Sequence, residues 1–515
     1  MGRGILNRDL TDARIERCSF IGNESDFGGG MANDGESSFE VTDCVFAENT
    51  AIRGGGMNNA GATPTLTRCV FTGNTAEKGG GIHNGDASNP VLTDCILCGN
   101  TVTGSGGGMY NDTSSPNLIG CVFEAHAVLD DASPVDNTGG GICNSNASPY
   151  IEGCLFTGNR SYRGTDMWNT NASPTIISTR FLENVATFSG GGVENLSSGP
   201  TLNECVFTTN TADFGGALSN LGSSGPILTN CTLAGNTAET SGGCLYVNAA
   251  GQPVFVNCTL AGNMAGTSGG GIYNFKAQPI LNNCILWDNE APTGPVVINA
   301  DALVPVITYS CVEGSYAGDG NLDEDPLFVG EIPYGSLQLP AGSPCIDAGT
   351  DSGAPDTDLA GRSRPLGART DMGAYEFSGM PVSGLSVMPT SLTFHASAGG
   401  TTVDIVTPMY WTATSDTAWL HLPAGGVGNT SITVNYEENT GSPRSAMITI
   451  TGSGTTPGTE TVVITQEGEA PVRAKARSRS KGNPFWKVRV KARPLLKGRV
   501  KHLLKAKHPV KVKAK

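Results

Sequence analysis

The chain repeats one sequence unit over more than half of its length, and this repeat constrains the fold more than any other feature. A clear copy is Gly54–Asn74, GGGMNNAGATPTLTRCVFTGN. The steps between equivalent cysteine positions are 26, 25, 26, 26, 33, 25, 26, 26, 27 and 26 residues, so a single step is irregular. These positions are Cys18, Cys44, Cys69, Cys95, Cys121, Cys154, Thr179, Cys205, Cys231, Cys258 and Cys284. Self-similarity at this period predicts a solenoid with one coil per repeat.

Apolar residues flank the cysteine position at fixed offsets. Two residues after it stands Phe or Leu, such as Phe71, and three residues before it stands an apolar residue such as Leu66. Their opposite parity relative to the cysteine indicates short strands joined by a bend. With 71 Gly in 515 residues and no 3.6-residue apolar period, helical repeats are excluded. The sequence therefore predicts an all-β fold, a right-handed parallel β-helix of about 11 coils.

Asparagine and cysteine are predicted to form columns along this rod. Asn follows the cysteine position by five residues in every repeat except one, where His126 stands, and a second Asn follows the glycines. Amides stacked from coil to coil bond to one another in a ladder. Stacked cysteines have Cα atoms about 4.8 Å apart and parallel side chains, which disfavours disulfides, so we expect a buried ladder of free thiols. Cys98, Cys143, Cys244 and Cys345 are among the cysteines outside this ladder.

Two short elements of the repeat resemble those of a known family. The patterns GG[GA]-[IM] and F-x-x-N, as in Gly79–Ile82 and Phe71–Asn74, resemble the repeats of chlamydial polymorphic outer-membrane proteins. More broadly, residues 1–312 are similar to the bacterial right-handed β-helix, pectate-lyase-like superfamily. The resemblance implies the fold and an extracellular or bacterial cell-surface location.

The chain opens inside a repeat, because Gly4-Ile5-x-Asn7 aligns with Gly56-Met57-x-Asn59. We therefore expect the β-helix to be incomplete at its N-terminus, with further coils and an export signal upstream. The printed sequence shows no signal peptide and no transmembrane segment.

The irregular step, from Cys121 to Cys154, carries seven extra residues, and insertions in solenoids form loops that are often functional. Charged and aromatic residues concentrate in this coil and the next, at His126, Asp130, Asp131, Asp136, Arg160, Arg163, Asp166 and Trp168. A polysaccharide lyase needs aspartates for calcium and a basic residue, and a glycoside hydrolase needs paired carboxylates. The candidate catalytic residues are therefore Asp130, Asp131, Asp136, Arg160 and Arg163. The polygalacturonase-type pattern of Asp-Asp with Gly-His-Gly is missing, which favours a solvated loop. His83 is predicted to be a surface residue.

Pro292, Pro295 and Pro305 predict a break in the period over residues 290–312, and residues 313–377 depart from the repeat altogether. The elements Gly342-Ser343-Pro344-x-Ile346-Asp347-x-Gly349 and Asp371-x-Gly373-Ala374-Tyr375-Glu376 are similar to the choice-of-anchor Q module of bacterial surface β-helix proteins. Such a module is expected to cap the open strand edges of the rod. Its aspartates are a candidate calcium site, and the alternative is that they cap backbone amides, with Asp358 pairing with Arg364. These aspartates are Asp347, Asp351, Asp356, Asp358 and Asp371. No other cofactor is expected.

Residues 378–384 read as a linker, and 385–468 contain short alternating strands typical of an Ig-like β-sandwich. Leu392-Thr393-Phe394, Trp411-x-Ala413-x-Ser415 and Val463-x-x-Gln466 resemble the BACON domain, which implies binding of glycans or mucin. Aromatic rings stack on sugars, so Tyr410, Trp411 and Trp419 are the candidate glycan-binding residues. The alternative, favoured for Trp419 and open for Trp411, is a place in the sandwich core.

Charge is distributed unevenly between the body and the C-terminal tail. Of the 32 Lys and Arg, 17 follow Glu469, whereas all 47 acidic residues lie at or before it, so residues 1–469 have a net charge near −32 (15 against 47). The basic tail, residues 469–515, is expected to be disordered and to contact an anionic surface polymer. Sequence-specific nucleic-acid binding is not expected, because few aromatic residues are interleaved.

The sequence favours a non-enzymatic adhesin or structural stalk. The alternative is a polysaccharide lyase or glycoside hydrolase with an accessory sandwich.

Overall fold

A computed structural model of the protein describes residues 4–9, 11–129, 137–328, 332, 337–378, 385–394, 396, 399–406, 410–417, 419–423, 425–427, 430–452 and 459–468. The predicted catalytic residues Asp130, Asp131 and Asp136, most of the predicted linker and the basic tail lie outside these residues. Within them every regular element is a β-strand, so no helix there is able to span a membrane.

The first part of the chain is the predicted parallel β-solenoid. Each coil contributes one strand to each of sheets A, B and C, and eight coils add a strand to sheet D; within a coil the order is A, B, C, D. Sheet A consists of Ile5–Arg8, Met31–Asp34, Met57–Ala60, Ile82–Gly85, Met109–Asp112, Ile142–Ser145, Met167–Thr170, Val193–Leu196, Leu218–Gly222, Leu245–Ala249, Ile272–Phe275 and Val297–Asn299. Sheet B consists of Thr11–Glu16, Ser38–Thr42, Thr65–Thr67, Val91–Thr93, Asn117–Ile119, Tyr150–Glu152, Thr175–Ile177, Thr201–Asn203, Ile227–Thr229, Val254–Val256, Ile280–Asn282 and Val306–Thr308.

The remaining two sheets complete the wall of the solenoid. Sheet C consists of Ser19–Ile21, Val45–Ala47, Val70–Thr72, Ile96–Cys98, Val122–Glu124, Leu155–Thr157, Arg180–Leu182, Val206–Thr208, Thr232–Ala234, Thr259–Ala261, Ile285–Trp287 and Cys311–Val312. Sheet D consists of Thr75–Lys78, Thr101–Ser105, Ala127–Val128, Arg160–Arg163, Val185–Ser189, Thr211–Phe214, Thr237–Ser241 and Met264–Ala265. The period was expected to break over residues 290–312, but the last strands of sheets A, B and C form one more coil in register.

Inward-facing side chains stack in columns from coil to coil, as the repeat predicted. The phenylalanine rings of sheet C stack with centroids 4.5 Å apart at Phe46 and Phe71 and 4.7 Å apart at Phe123 and Phe156. At the bend between sheets C and D, Asn49 Nδ2 donates to Asn74 Oδ1 at 2.9 Å, and Asn74 Nδ2 to Asn100 Oδ1 at 2.8 Å. A second asparagine ladder follows the third position of the sheet A strands, beginning with Asn7 and Asn33 at 2.7 Å. The core is therefore continuous along the solenoid.

The cysteine ladder is also confirmed. All 15 cysteines are free thiols, and those at the repeat position from Cys44 onwards are buried. The backbone N–H of Cys69 donates to Cys95 Sγ at 3.4 Å, and the Cys69 thiol donates to the carbonyl of Val41 at 3.4 Å. The ladder therefore adds weak hydrogen bonds between coils to its packing contacts.

Glycine triplets turn the chain from sheet D into sheet A. Gly54 has φ near 65°, and a Cβ on Gly55 would lie 2.5 Å from the carbonyl oxygen of Gly80 in the next coil. A side chain at these positions would push adjacent coils apart, so the triplet allows the tight coil spacing at this corner.

The irregular 33-residue step leaves both ladders in register. Across it, Asn111 Nδ2 donates to Asn144 Oδ1 at 2.8 Å, and the N–H of His126 donates to Asn159 Oδ1 at 3.0 Å. The longer step therefore does not shift the stacked positions on either side of it.

Residues 313–377 pack against the last coils. Leu339, Cys345 and Met372 form a small apolar cluster with Ile285 and Cys311. The cap is anchored by side chains of the solenoid, since Asn257 Nδ2 donates to the carbonyl of Asp371 at 3.0 Å and Asn283 Nδ2 to that of Thr350 at 2.8 Å.

The C-terminal domain consists of two facing β-sheets. One contains Ser386–Met388, Gly399–Val406, Thr430–Tyr436 and Leu420–His421. The other contains Ser391–Phe394, Thr459–Gln466, Arg444–Gly452, Tyr410–Ser415 and Gly425–Val427. All pairs are antiparallel except Ser391–Phe394 with Thr459–Gln466. Aliphatic side chains such as Val403, Ile448 and Ile464 fill the core between them. An ion pair between Arg180 and Asp404 joins this sandwich to the solenoid.

Candidate functional site

Two columns of outward-facing side chains meet on one side of the solenoid. In sheet A the second residue of each strand points away from the core, because the first and third residues point inward. Its members include Ala32, Asn58, His83, Tyr110, Cys143, Trp168, Glu194, Ser219, Tyr246 and Tyr273. Across the glycine corner stands a column at the end of the sheet D segment, which includes Phe27, Arg53, Lys78, Thr138, Arg163, Ser189, Phe214 and Ser241. We call these the facing columns.

The facing columns are in contact in the middle of the solenoid. Lys78 Nζ donates to Tyr110 Oη at 3.4 Å and lies 4.8 Å from the centre of that ring. The guanidinium carbon of Arg163 lies 4.6 Å from the Phe188 ring centre and 6.0 Å from that of Trp168. Tyr110 and Trp168 are buried by these contacts. In this stretch, the side chains of the two columns fill the space between them.

Arg163, one of the predicted catalytic residues, pairs with a buried carboxylate that the sequence reasoning missed. Its Nη1 lies 3.3 Å from Glu194 Oε1, and Glu194 also accepts a hydrogen bond from Ser189 Oγ. Glu194 is 0% exposed, and burial raises its pKa from 4.5 to about 8, although Arg163 opposes this shift. Arg160 is exposed at the other end of the same strand. Because Asp130, Asp131 and Asp136 lie outside the described residues, a catalytic role for this set stays a hypothesis.

Two of the charged residues predicted near the irregular coil lie inside the core. His126 replaces an asparagine of the ladder, accepts the N–H of Asn100 at 3.1 Å, and has its pKa lowered to about 3 by burial. Asp166 stands where other coils have the third glycine; it accepts Asn159 Nδ2 at 2.8 Å, and burial raises its carboxyl pKa. Both side chains are buried, so neither belongs to the solvated loop that the sequence favoured.

At its N-terminal end, the space between the facing columns is open. A cleft of about 410 Å³ lies there, which we call the N-terminal cleft. Its floor carries Asn58 and His83, and its rims carry Phe27, Arg53, Asp34, Asp86 and Asp112. Small residues open it, since Ala32, Ala60 and Gly85 occupy outward positions on consecutive coils. In the next coil, Tyr110 follows His83 in the same column, and its ring covers that of His83.

His83 differs from its predicted role as an exposed residue. Its parity is outward, but its ring stacks on Tyr110 with centroids 5.4 Å apart, and it is 4% exposed. Burial and the nearby cations Arg53 and Lys78 lower the pKa of His83 to about 3, so the ring is neutral at pH 7. Its Nδ1 has no hydrogen-bond partner among the described residues. A sequence signal for this site existed in Ala32, Ala60 and Gly85, which are small residues at outward positions of three consecutive sheet A strands.

Four of the five predicted calcium ligands, Asp347, Asp351, Asp358 and Asp371, accept hydrogen bonds from backbone amides of residues 347–377. Asp351 Oδ1 accepts the N–H of Thr370 at 2.8 Å, and Asp347 Oδ1 accepts that of Arg369 at 3.0 Å. Asp358 accepts three backbone N–H groups, from Ala360, Arg362 and Glu376, at 2.7 to 2.8 Å.

Asp371 completes this pattern of amide capping. It accepts the N–H groups of Asp347 and Phe377, and burial raises its pKa to about 6. Asp356 is exposed. Arg364 pairs with Glu376 at 2.5 Å, not with Asp358. In the part of the chain that the structure describes, no three acidic, His or Cys side chains form a metal-binding group.

The predicted glycan-binding aromatic residues occupy different positions in the sandwich. Trp411 is 3% exposed and belongs to the core, so its ring has no face open to a sugar. Trp419 is half-buried at the edge of the core, and the Arg444 guanidinium carbon lies 4.2 Å from its ring centre. Tyr410 lies on the strand paired with Gly425–Val427. Trp419 is thus the tryptophan of this pair with accessible surface.

Comparison with known families agrees with this all-β, two-part architecture. Residues 409–467 match the BACON family, described as a putative binding domain, N-terminal. Residues 68–85 match the Chlamydia polymorphic membrane protein repeat. Both predicted resemblances are confirmed, while that of residues 313–377 to choice-of-anchor Q stays a prediction. No curated protein matches the chain.

Two solved structures resemble short parts of the chain. A Bacteroides ovatus GH5 xyloglucanase in complex with a XXXG heptasaccharide is 22% identical, with 17% of this chain and 19% of that chain covered, at a TM-score of 0.16. WR4, a C. elegans MSP family member, is 12% identical, with 17% of this chain and 99% of that chain covered, at a TM-score of 0.14. The chain thus spans about a fifth of the xyloglucanase, and neither likeness carries an argument about function.

Proposed function

We propose that the protein is an extracellular or cell-surface bacterial protein, in which the solenoid is a rigid adhesive or structural rod and the BACON-like sandwich contacts glycans or mucin. The strongest support is that a solenoid with one continuous stacked core is followed by a domain whose matching family is described as a putative binding domain. The match of residues 68–85 to a bacterial membrane-protein repeat supports the surface location.

The rigidity of the rod follows from how its coils are joined. Adjacent coils share backbone ladders in three sheets of twelve strands, two asparagine ladders and one thiol ladder. Each coil buries its apolar side chains only against its neighbours, so bending at any coil would open the core. Twelve strands at ~4.8 Å give a rod about 50 Å long.

The sandwich offers Trp419 for stacking, and the basic tail is proposed to add contacts to an anionic surface polymer. The Arg444 side chain over Trp419 holds the ring in place, which lowers the entropic cost of binding a sugar. Because the body of the chain is strongly acidic, attraction to an anionic polymer would depend on the tail and weaken with salt.

Binding of the full-length chain to immobilised mucin and to a glycan array tests this proposal. Trp419→Ala is expected to weaken binding roughly tenfold, the loss of one stacking contact. Met447→Ala, which removes another exposed apolar side chain from the sandwich, serves as the matched control and should bind as wild type. Absence of any glycan or mucin binding by the full chain would leave the sandwich as a spacer and contradict the proposal.

The alternative, a polysaccharide lyase or glycoside hydrolase, is supported by one observation, the raised pKa of Glu194 beside Arg163. A glycoside hydrolase needs two carboxyl groups about 5–9 Å apart that reach the substrate. Glu194 has no exposed surface, which favours a structural role for the pair. Release of unsaturated or reducing sugar ends by the full chain, lost in Arg163→Ala, would reverse this preference.

A further inference from the structure

We propose that the N-terminal cleft is a binding site for an uncharged pyranose unit of a glycan. This goes beyond glycan binding by the sandwich, because it places a second, independent site on the solenoid itself. The site combines an open cleft of about 410 Å³ with polar groups on its floor and an exposed aromatic ring on its rim.

The floor of the cleft presents an unused hydrogen-bonding atom. His83 Nδ1 is buried without a partner among the described residues. A side chain at Gly85 would lie 3.3 Å from His83 Cε1 and 3.9 Å from Nδ1, so this edge of the ring is directed towards the space that Gly85 leaves open in the cleft. A buried polar atom without a partner is unfavourable, and a bound hydroxyl would satisfy it.

The walls supply the groups that recognise a sugar. Carboxylates at Asp34, Asp86 and Asp112 accept hydrogen bonds from hydroxyls, and the Arg53 guanidinium on the opposite rim donates to ring or hydroxyl oxygens. The ring of Phe27 is 42% exposed on the same rim and provides an apolar face for the C–H side of a pyranose. Pockets of this volume class hold small ligands through a few convergent polar groups.

The charge of the cleft selects against acidic sugars. Its lining has three carboxylates, of which Asp34 is paired with Arg8, against the one guanidinium of Arg53, and His83 is neutral at pH 7 because its pKa is lowered to about 3. The printed chain has a net charge of −15. Uronates, sialic acids and sulfated sugars would therefore be repelled, whereas an uncharged hexose or N-acetylhexosamine would not.

Calorimetry with the full-length protein tests the proposal, with cellohexaose, mannohexaose and chitohexaose as uncharged probes and hexagalacturonate as the acidic probe. At least one uncharged probe is expected to bind, and the acidic one to bind at least tenfold more weakly. Ala60→Trp fills the cleft from an outward position and should abolish binding. Thr170→Trp, the same change at the equivalent outward position beyond the closed stretch, should not.

A second variant separates recognition from folding. His83→Phe keeps the ring that stacks on Tyr110 but removes Nδ1, so binding should fall roughly fivefold, as for one lost hydrogen bond, without loss of thermal stability. No binding by any uncharged probe, stronger binding of hexagalacturonate, or full binding by Ala60→Trp would each overturn the inference. Binding that persists in Ala60→Trp but is lost in Trp419→Ala would refute the cleft and leave the proposed role of the sandwich intact.

Discussion

Replacing Asn74 by leucine is expected to destabilise the solenoid by about 2–5 kcal/mol, because the side chain connects three consecutive coils. Its Nδ2 donates to Phe46 O at 2.9 Å and Asn100 Oδ1 at 2.8 Å, and its Oδ1 accepts the N–H of Asn49 at 3.0 Å and Asn49 Nδ2 at 2.9 Å. The residue is fully buried, so water cannot replace these partners.

The magnitude of the destabilisation follows from the hydrogen bonds that leucine cannot form. The N–H of Asn49 loses its amide partner, at a cost of ~1–3 kcal/mol, and three further hydrogen bonds are lost at ~0.5–1.5 kcal/mol each. Burial of the leucine methyl groups stabilises the folded variant by ~1–2 kcal/mol, which offsets part of this loss. The remainder is a large part of the ~5–15 kcal/mol by which domains are usually stable.

Urea unfolding followed by circular dichroism measures this loss. Asn203→Leu is the matched control, because Asn203 lies on the outer face of sheet B between Ile177 and Thr229 and is not part of a ladder. A loss below about 1 kcal/mol for Asn74→Leu, or an equal loss in both variants, would refute the claim that the amide column supports the rod.

Two further predictions concern buried titratable groups. Because burial raises the pKa of Glu194 from 4.5 to about 8, the folded state binds a proton that the unfolded state has released, so wild-type stability falls as pH rises through this window. Glu194→Gln should remove this fall. Near pH 9 the variant should be more stable than wild type by about 3–5 kcal/mol, and near pH 4 the two should be equally stable. Urea unfolding of both proteins at the two pH values measures which one is more stable. Of the 15 cysteines, only Cys18 and Cys98 are not fully buried, so a thiol reagent should react quickly with at most two thiols in the native protein and with all 15 in denaturant; fast reaction of more would contradict the buried ladder.

The columns of the solenoid could be predicted from the sequence because one period governs them all. A shared offset from the cysteine position places Phe46 beside Phe71 and Asn49 beside Asn74 without knowledge of any other contact. The extra coil at residues 297–312 escaped prediction because prolines obscured the pattern, although Pro295 still accepts a ladder hydrogen bond from Gly271.

The candidate site was harder to predict, because it depends on which outward residues face each other around the glycine corner. Parity correctly directed His83 outward, but parity does not report that Tyr110 and Lys78 cover that face. The two tryptophans of the sandwich raise the same difficulty, since a turn between Trp411 and Trp419 breaks the alternation. In residues 313–377, the sequence suggested Asp358 as the partner of Arg364, and the fold brings Glu376 to it instead.

The coil that contains seven additional residues shows how the solenoid tolerates change. On either side of the addition, Asn111 still bonds to Asn144, and Phe123 still stacks on Phe156 at 4.7 Å. Residues can thus be added to the chain between a sheet D strand and the next glycine triplet without altering the spacing of the stacked coils. A foreign peptide grafted there would be displayed at a fixed height on the rod, which makes this corner a natural position for an epitope or an affinity tag.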